Sequence, residues 1–457
     1  MKNNVKISFF GAAQEVTGSN YLIEAGDGAN AVKILVDCGF FQGSKISEDK
    51  NYEKFLYNPS EIDALIITHA HLDHIGRIPK LVRERFKGKI FSTFPTRDLG
   101  NLMLEDSLGV LRKEALRDKR KKTIYEESDI RATMEKWEAV EYGANTSFKE
   151  VNFVFKEAGH ILGSAMVEMK INGKKILFSG DVGGKPEPFL KEAEKVKDAD
   201  FMVVESTYGD RLHEKKEEAE LKLERVIEDA IKRGGVLMLP AFSLERTQKI
   251  FFHINDLVEH GRIPRIPIFL DSPLSIKATK IYREYSKYFS ESAKNIIRSG
   301  DDIFNFPGLK LSLTTEESKA INDVPSPKII IAGSGMCNGG RITHHLRRYL
   351  SDPKNTLLFV SYQAAGSLGR KIYDGEKVVN IFGDSIPVSA HIEKIDGYSS
   401  HFDSDGIFEF VSDSTDTLKK VFVTHGEPKA SLFIVQKIRD HLGLEAVAPK
   451  FGEIFEI

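Results

Sequence analysis

The sequence is poor in cysteine, has no long apolar run and carries no net positive charge. Its 457 residues include only two cysteines, Cys38 and Cys337, which excludes a disulfide scaffold and a zinc finger. Two isolated cysteines are most simply reduced, which predicts a cytoplasmic location. No run of about 18 apolar residues is present, so we expect no membrane span. The net charge of -2 excludes a diffusely basic nucleic-acid coat protein but allows a local basic groove.

The N-terminal segment 5–13 is short and apolar, so a signal sequence is one interpretation of it. Its apolar core is barely long enough, and Gln14 and Glu15 follow at once. We interpret the segment as a first β-strand and expect no targeting segment.

The length predicts two or three domains, and the patterning changes twice along the chain. The first two hundred residues read as strands and glycine turns with one helical section, 97–140. In the middle, strands and helices alternate, which predicts a parallel, doubly wound sheet. Strands return after residue 377. We therefore predict a β-rich domain whose first part is 1–206 and second part 377–457, interrupted by an inserted α/β domain at 207–376.

The segment 69–74, HAHLDH, directly follows the apolar strand 64–68. His69 and His71 are two apart, so both rings point to one side of an extended backbone, and Asp73 and His74 lie on the turn. Three imidazoles and a carboxylate suit Zn²⁺ and related divalent metals. A solvated histidine-rich loop is the alternative, which the preceding strand and the following glycine disfavour.

Six residues cannot complete a catalytic zinc site, which needs further ligands and an open position. His160, Asp181 and His425 each come shortly after a predicted strand. Each alone could be an ordinary turn residue, but together they supply the missing ligands.

With Asp37, His160 and Asp181 in this order, the HAHLDH segment resembles the metallo-β-lactamase superfamily. Segments 204–210 (VESTYGD), 399–403 (SSHFD) and 424–427 (THGE) resemble the three motifs of the β-CASP nucleases. The resemblance covers essentially the whole chain, and is strongest to the catalytic subunit of the cleavage and polyadenylation factor and its compact bacterial relatives. It implies an α/β fold, the metallo-β-lactamase αββα sandwich with an inserted Rossmann-like β-CASP domain. The N-terminal KH domains of archaeal homologues are expected to be absent, and HAHLDH departs from the HxHxEDH form of RNase J.

The resemblance also implies two Zn²⁺ ions per chain. One ion would be held by His69, His71 and His160, and the other by Asp73, His74 and His425. Asp181 would bridge the two, and Asp37 would support the ligands from behind. The catalytic set is then Asp73, Glu205 and His401.

His401, partnered with Glu205, resembles the family's acid for the departing ribose oxygen. A carboxylate neighbour raises the pKa of a histidine toward working pH, which suits that role. The alternative for Glu205 is an exposed turn residue.

The glycine-rich loop 333–340 lies between a predicted strand and a predicted helix and could point backbone N–H groups at an anion. The resemblance implies that this side of the protein holds the RNA backbone. The residues expected to take part are Ser272, Ser334, Gly335, Arg341 and Ser367. A plain tight turn is the alternative for the loop, because it lacks the strict spacing of a dinucleotide fingerprint.

The predicted function is that of a zinc-dependent ribonuclease hydrolysing phosphodiester bonds of single-stranded RNA, by endonuclease or 5′-exonuclease action or both. The family also implies a homodimer. A non-catalytic scaffold subunit is one alternative, which the full ligand set disfavours. A different metallohydrolase, such as a β-lactamase or a thioesterase, is another, which the inserted domain and the Glu205/His401 pair disfavour.

Overall fold

A computed structural model of the chain describes residues 4–26, 31–43, 45–117, 122–184, 188–214, 216–363 and 366–457. The chain forms two compact units. The first unit comprises residues 1–212 together with 400–457, and the second comprises 213–399. Across these described ranges, no helix has the length and apolar character needed to cross a bilayer.

The first unit contains two seven-stranded sheets that pack face to face. In spatial order, the strands of the first sheet are Ile454–Glu456, Val5–Phe9, Tyr21–Ala25, Val32–Val36, Ala64–Ile66, Lys89–Thr93 and Trp137–Val140. Those of the second sheet are Ala446–Val447, Lys420–Thr424, Phe201–Glu205, Lys174–Phe178, Ala165–Ile171, Val151–Glu157 and Thr146–Phe148.

Helices cover the outer face of each sheet. In the described part of this unit they are Lys45–Asp49, Leu72–Ile75, Ile78–Arg83, Phe94–Arg117, Glu127–Glu135, Ser404–Ser412 and Pro428–Leu442. Because side chains alternate along a strand, one set fills the space between the sheets, as Phe9, Phe155 and Phe422 do. The other set packs under the helices, where Leu65 and Val423 belong to separate cores. The predicted αββα sandwich is therefore confirmed.

The second unit is built on a six-stranded sheet in which every pairing is parallel. Its strands in spatial order are Leu309–Leu311, Ile268–Asp271, Lys328–Ala332, Val236–Pro240, Thr356–Phe359 and His391–Lys394. Strands Val378–Ile381 and Asp384–Pro387 form a separate hairpin. The described helices are Lys216–Lys232, Arg246–Glu259, Pro273–Glu284, Glu291–Arg298, Thr315–Ala320, Ile342–Tyr349 and Leu368–Tyr373. This is the predicted doubly wound, Rossmann-like insertion.

The strand-rich segment after residue 377 differs in position from the sequence interpretation, which returned it to the first unit. Strand His391–Lys394 pairs in parallel with Thr356–Phe359, so the second unit extends to Ser399. An alternating pattern marks a strand without naming its partner, which explains the difference. For a similar reason Trp137–Val140, placed within a helical section by its charge, pairs with Lys89–Thr93 as a strand.

Candidate metal centre

The histidine motif lies where the strand Ala64–Ile66 gives way to a short helix in the first unit. His71 has extended backbone, with φ -70° and ψ 147°, and precedes the helix Leu72–Ile75. One turn of helix is enough to bring Asp73 and His74 to the same end of the strand as His69 and His71. The other ligand candidates, His160, Asp181 and His425, follow strands of the second sheet.

Four of the predicted ligands form a first cluster, in which all ligand atoms lie within 4.8 Å of one another. The Nδ1 atom of His71 is 3.1 Å from His69 Nε2 and 3.2 Å from His160 Nε2. Asp181 Oδ2 is 3.4 Å from His69 Nε2 and 3.5 Å from His160 Nε2. Donors bound to one tetrahedral Zn²⁺ at about 2.0–2.1 Å lie about 3.3–3.4 Å apart, so this spacing fits one ion.

Asp73, His74 and His425 form a second cluster, likewise within 4.8 Å. His425 Nε2 is 3.7 Å from Asp73 Oδ2. The second oxygen of Asp181, Oδ1, is 3.3 Å from His74 Nε2 and 3.6 Å from His425 Nε2. Each oxygen of the Asp181 carboxylate therefore faces a different cluster.

The Oδ1 atom of Asp181 is buried and has no hydrogen-bond partner among the described residues. A buried carboxylate oxygen without a donor is costly, whereas a cation in contact with it would satisfy it. The nitrogen and carboxylate donors are also the types that zinc prefers. The residues present therefore fit a pair of divalent metals that share Asp181.

The histidines of the first cluster are held in the neutral form, which is the form that binds metal. Burial lowers the pKa of His69 and of His160 well below the usual value, and lowers the pKa of His71 to about 4. Neutral imidazoles need lose no proton before a metal binds.

The second cluster attracts positive charge. Burial lowers the pKa of His74, but the carboxylates of Asp181 and Asp37 outweigh it and raise the pKa well above the usual value. Burial raises the pKa of Asp181, but His425 and His74 outweigh it and hold that pKa well below the usual range. Asp181 is therefore an ionised carboxylate in a buried site, the electrostatic condition that favours a bound cation.

Asp37 contacts two of the candidate ligands on the side away from the clusters, one of them directly and the other through the Thr68 hydroxyl. Its Oδ2 lies 2.7 Å from His74 Nδ1 and accepts a hydrogen bond from the Thr68 hydroxyl at 2.8 Å. That hydroxyl is 3.1 Å from His69 Nδ1. Since the Nδ1 atoms are engaged in this way, the Nε2 atoms of both rings are left for a metal.

Two orienting groups were missed by the sequence reasoning. His160 Nδ1 donates to the backbone carbonyl of Ser400 at 2.8 Å, and the buried Ser19 hydroxyl is 3.0 Å from His425 Nδ1. The same hydroxyl is 3.4 Å from His74 Nε2. A serine in a glycine-rich loop after the first strand and a backbone carbonyl carry no sequence signal of such a role.

Replacing Ser19 by alanine is expected to weaken zinc binding at the Asp73, His74 and His425 cluster by about 10- to 100-fold, because His425 would lose its orienting partner. Titration of the metal-free chain against a chromophoric zinc chelator would measure the change. Ser8→Ala is the matched control, since Ser8 is equally buried and its hydroxyl has no hydrogen-bond partner among the described residues. Equal affinities for the Ser19 variant and the wild-type chain would contradict the prediction.

Glu205 and His401 form the predicted pair. The His401 Nδ1 atom is 2.9 Å from Glu205 Oε1, which also accepts the backbone N–H of Val182 at 2.8 Å. Burial lowers the pKa of His401, but the Glu205 carboxylate outweighs it and raises that pKa above its usual value. Glu205 is only 1% exposed, so it is not an exposed turn residue. The His401 ring lies 4.5 Å from that of His160, beside the first cluster.

The residues predicted to bind RNA lie in the second unit, at or after the carboxyl ends of its parallel strands. Ser272 and Ser367 are N-caps whose hydroxyls accept backbone N–H groups of the helices Pro273–Glu284 and Leu368–Tyr373. The Ser334 hydroxyl donates to the carbonyl of Gly339 at 3.3 Å, within the glycine loop. Their part in RNA binding stays a prediction.

Arg341 and Gly335 have clear structural surroundings. The guanidinium of Arg341 donates to Asp271 Oδ1 at 2.8 Å and to the carbonyls of Ser312 and Leu313. Gly335 lies so close to the ring of Phe242 that a Cβ atom would be 2.8 Å from it. Arg341 thus links the start of the helix Ile342–Tyr349 to Asp271 and the backbone at 312–313, and Gly335 is a site of close packing. The part of both residues in RNA binding also stays a prediction.

Three family models match the chain. The metallo-beta-lactamase superfamily domain matches residues 27–206, and the Beta-Casp domain matches residues 247–372. The Zn-dependent metallo-hydrolase RNA specificity domain matches residues 385–449. The first match contains six of the seven candidate metal ligands, and the third contains His401 and His425.

Named relatives align over nearly the full chain. A ribonuclease of Thermus thermophilus is 36% identical over 98% of this chain and 99% of its own. An RNase J-like protein of Methanocaldococcus jannaschii is 33% identical over 99% of this chain and 100% of its own. The transcription termination factor FttA of Methanosarcina mazei is 31% identical over 97% of this chain and 70% of its own.

A solved structure of a protein of unknown function from Enterococcus faecalis shares the fold. It aligns with a TM-score of 0.57 at 11% identity, over 99% of this chain and 100% of its own. Together with the site geometry, the matches decide the family. The chain belongs to the β-CASP ribonucleases of the metallo-β-lactamase superfamily and is a metal-dependent ribonuclease.

Proposed function

We propose that the chain binds two zinc ions and hydrolyses phosphodiester bonds of single-stranded RNA. The observation that carries the proposal is the placement of the Asp181 carboxylate, whose two oxygens face two separate donor clusters. A single carboxylate between two such clusters is the arrangement expected of a two-metal hydrolase.

The ligands divide as the family implies. His69, His71 and His160 would hold one ion, Asp73, His74 and His425 the other, and Asp181 both. When bound, such metals lower the pKa of water and offset negative charge on the phosphate oxygens. The chain's own residues supply the remainder of the chemistry.

Those residues orient the ligands and transfer one proton. Asp37 and Ser19 fix the rings of His74 and His425, so the ligand set is preformed. His401, held through Nδ1 by Glu205, would use Nε2 to give a proton to the departing ribose oxygen. Asp73, a partly exposed carboxylate that is itself a member of the second cluster, completes the catalytic set.

The substrate class, the cellular location and the oligomeric state belong to the same proposal. The RNA specificity domain matched at residues 385–449 and the ribonuclease relatives support RNA as the substrate. Both free cysteines are buried, as expected of a reduced, cytoplasmic protein. A homodimer stays an expectation from the family.

The test combines metal analysis with end-labelled RNA. The purified chain, after mild loading with zinc, is expected to contain two equivalents of zinc by elemental analysis. It is then incubated with 5′-labelled single-stranded RNAs that end in a triphosphate, a monophosphate or a hydroxyl, beside a duplex of the same sequence. Labelled mononucleotides would identify 5′-exonuclease action, and shortened labelled fragments endonuclease action. One zinc or none, or equal cleavage of the duplex, would contradict the proposal.

A further inference from the structure

The second unit contains a cationic cavity that has no part in the metal centre. Its volume is about 500 Å³, and residues of the helices Thr315–Ala320 and Ile342–Tyr349 line it. The charged and titratable residues among them are Lys319, Arg341, His344, His345, Arg347 and Arg348. No aspartate or glutamate of the described chain lines the cavity. A cavity with positive charge alone on its wall favours an anionic occupant.

Two of these cations are not neutralised by any residue that the structure describes. Arg341 is bound to Asp271, and Arg347 pairs with Asp384 at 2.5 Å. Lys319 and Arg348 form no ion pair with any carboxylate that the structure describes. Their charges are therefore available to a ligand.

An exposed aromatic ring stands beside the cavity. Phe382 is 57% exposed, and its ring centroid lies 4.7 Å from that of His344, which lines the cavity. Single-stranded nucleic acids are bound by this combination, in which cations follow the phosphates and aromatic rings stack on the bases.

The backbone conformation at Phe382 does not favour phenylalanine, so the turn itself does not explain the presence of this ring. Phe382 and Gly383 form the two-residue turn of the hairpin, and their φ angles are 56° and 92°. Turns with two positive φ angles prefer asparagine, aspartate or glycine at the first position, and phenylalanine is strained there. Strain of this kind persists where a side chain has another role.

We propose that the cavity and the Phe382 ring together form a docking face for single-stranded RNA. Lys319 and Arg348 would each neutralise a backbone phosphate, and one base would stack on Phe382. An acidic protein segment would use the cations but would gain little from the flat ring, so RNA is the better fit. The inference rests on the proposed function only for the kind of nucleic acid that is bound.

The first test removes the two free cations. Full-length chain in the presence of a metal chelator is titrated with a fluorescent, single-stranded RNA of about 20 nucleotides at several salt concentrations. Lys319→Ala combined with Arg348→Ala is expected to lower the slope of log K against log salt by about 1.4, or about 0.7 for each phosphate contact. At about 0.1 M salt this corresponds to a loss of affinity of roughly tenfold or more.

The control pair is Arg225→Ala with Lys232→Ala on the helix Lys216–Lys232 of the same unit, where both side chains face solvent. This pair makes the same change in net charge away from the cavity. It is expected to leave the affinity and the salt slope close to the wild-type values.

The second test removes the ring. Phe382→Asn is expected to weaken RNA binding by roughly 5- to 100-fold, as for the loss of one stacked base, with an unchanged salt slope. Because asparagine suits the first position of this turn, the thermal midpoint is expected to stay the same or rise. Phe382→Tyr should retain binding. In the zinc-loaded chain, the Asn variant should raise KM for RNA and leave kcat near the wild-type value.

The outcomes separate this inference from the proposed function. A wild-type chain that binds no RNA overturns both. A wild-type chain that binds and cleaves RNA, with both cavity variants indistinguishable from it, overturns the docking face alone. Variants that lose binding of poly-glutamate but keep the wild-type affinity for RNA would identify an acidic protein as the occupant and likewise overturn it.

Discussion

Replacement of His401 by alanine is expected to slow single-turnover RNA cleavage by roughly two to four orders of magnitude, as for the loss of a general acid. His401 is held at Nδ1 by the buried Glu205 carboxylate, which leaves Nε2 to act on the departing oxygen. His401 belongs to neither of the two ligand clusters, and each cluster keeps all its donors in the variant, so both metals should remain bound. The measurement is the single-turnover rate, with the zinc content of each variant determined alongside.

Two further variants and a rescue experiment make this test specific. Glu205→Gln keeps an oxygen for the Val182 N–H but loses the charge, so a smaller loss of rate is expected. His391→Ala is the matched control, because His391 is exposed on a strand of the second unit. Added imidazole should restore part of the activity of the His401 variant, which a purely structural role would not allow. An inactive, metal-replete His391 variant beside an active His401 variant would overturn the assignment.

The second large effect is expected at Asp181. Asp181→Asn replaces one of the two anionic oxygens that face the clusters with an NH₂ group, which cannot bind a metal. Zinc content should fall from two equivalents to one or fewer, and cleavage by roughly four to six orders of magnitude, since ligands that act as a unit fail together. Elemental analysis and single-turnover cleavage would measure these two quantities.

The control for Asp181 is Asp440→Asn, which makes the same chemical change at an exposed position on the helix Pro428–Leu442. Thermal unfolding supplies a readout apart from catalysis. Zinc should raise the unfolding midpoint of the wild-type chain and of the Asp440 variant by mass action, and should raise that of the Asp181 variant much less. Two tightly bound zinc ions in the Asp181 variant would contradict the shared-ligand arrangement.

The class of the inserted unit could be predicted from the sequence, whereas its end could not. Strand and helix periodicity identified the parallel insertion, because strand–helix alternation has few other solutions. The end of the insertion was placed at residue 376 and lies at Ser399 in the structure. The pairing of His391–Lys394 with Thr356–Phe359 depends on contacts that no local pattern encodes.

The residues of the candidate metal centre could likewise be predicted only in part. The motif at 69–74 predicted its own chemistry because four donors are close together in the chain, and close spacing needs no tertiary structure. His160, Asp181 and His425 could be proposed as strand-end residues, and the family resemblance joined them to the motif. Ser19 could not be found in this way, since its role exists only through its distance from His425.

The surroundings of the cations in the second unit could not be predicted from the sequence. The family resemblance implies an RNA contact at Arg341, which stays a prediction, and the structure shows that its guanidinium is bound to Asp271 and two carbonyls. Lys319 and Phe382 have no feature in the sequence that sets them apart. Their proximity to Arg348 and His344 comes from the packing of a helix and a hairpin turn.

The sequence by itself determined the donor types, the order of the motifs and the class of fold, because these depend on residue chemistry and on local periodicity. Only the tertiary structure decided which oxygen of Asp181 faces which cluster and which hydroxyls and carbonyls orient the rings. It also decided which cations have no carboxylate partner in the part of the chain that the structure describes. Those properties are distances between residues up to about 400 positions apart in the chain, such as Ser19 and His425. Such distances are set by the packing of the two sheets and their helices, which a linear pattern does not contain.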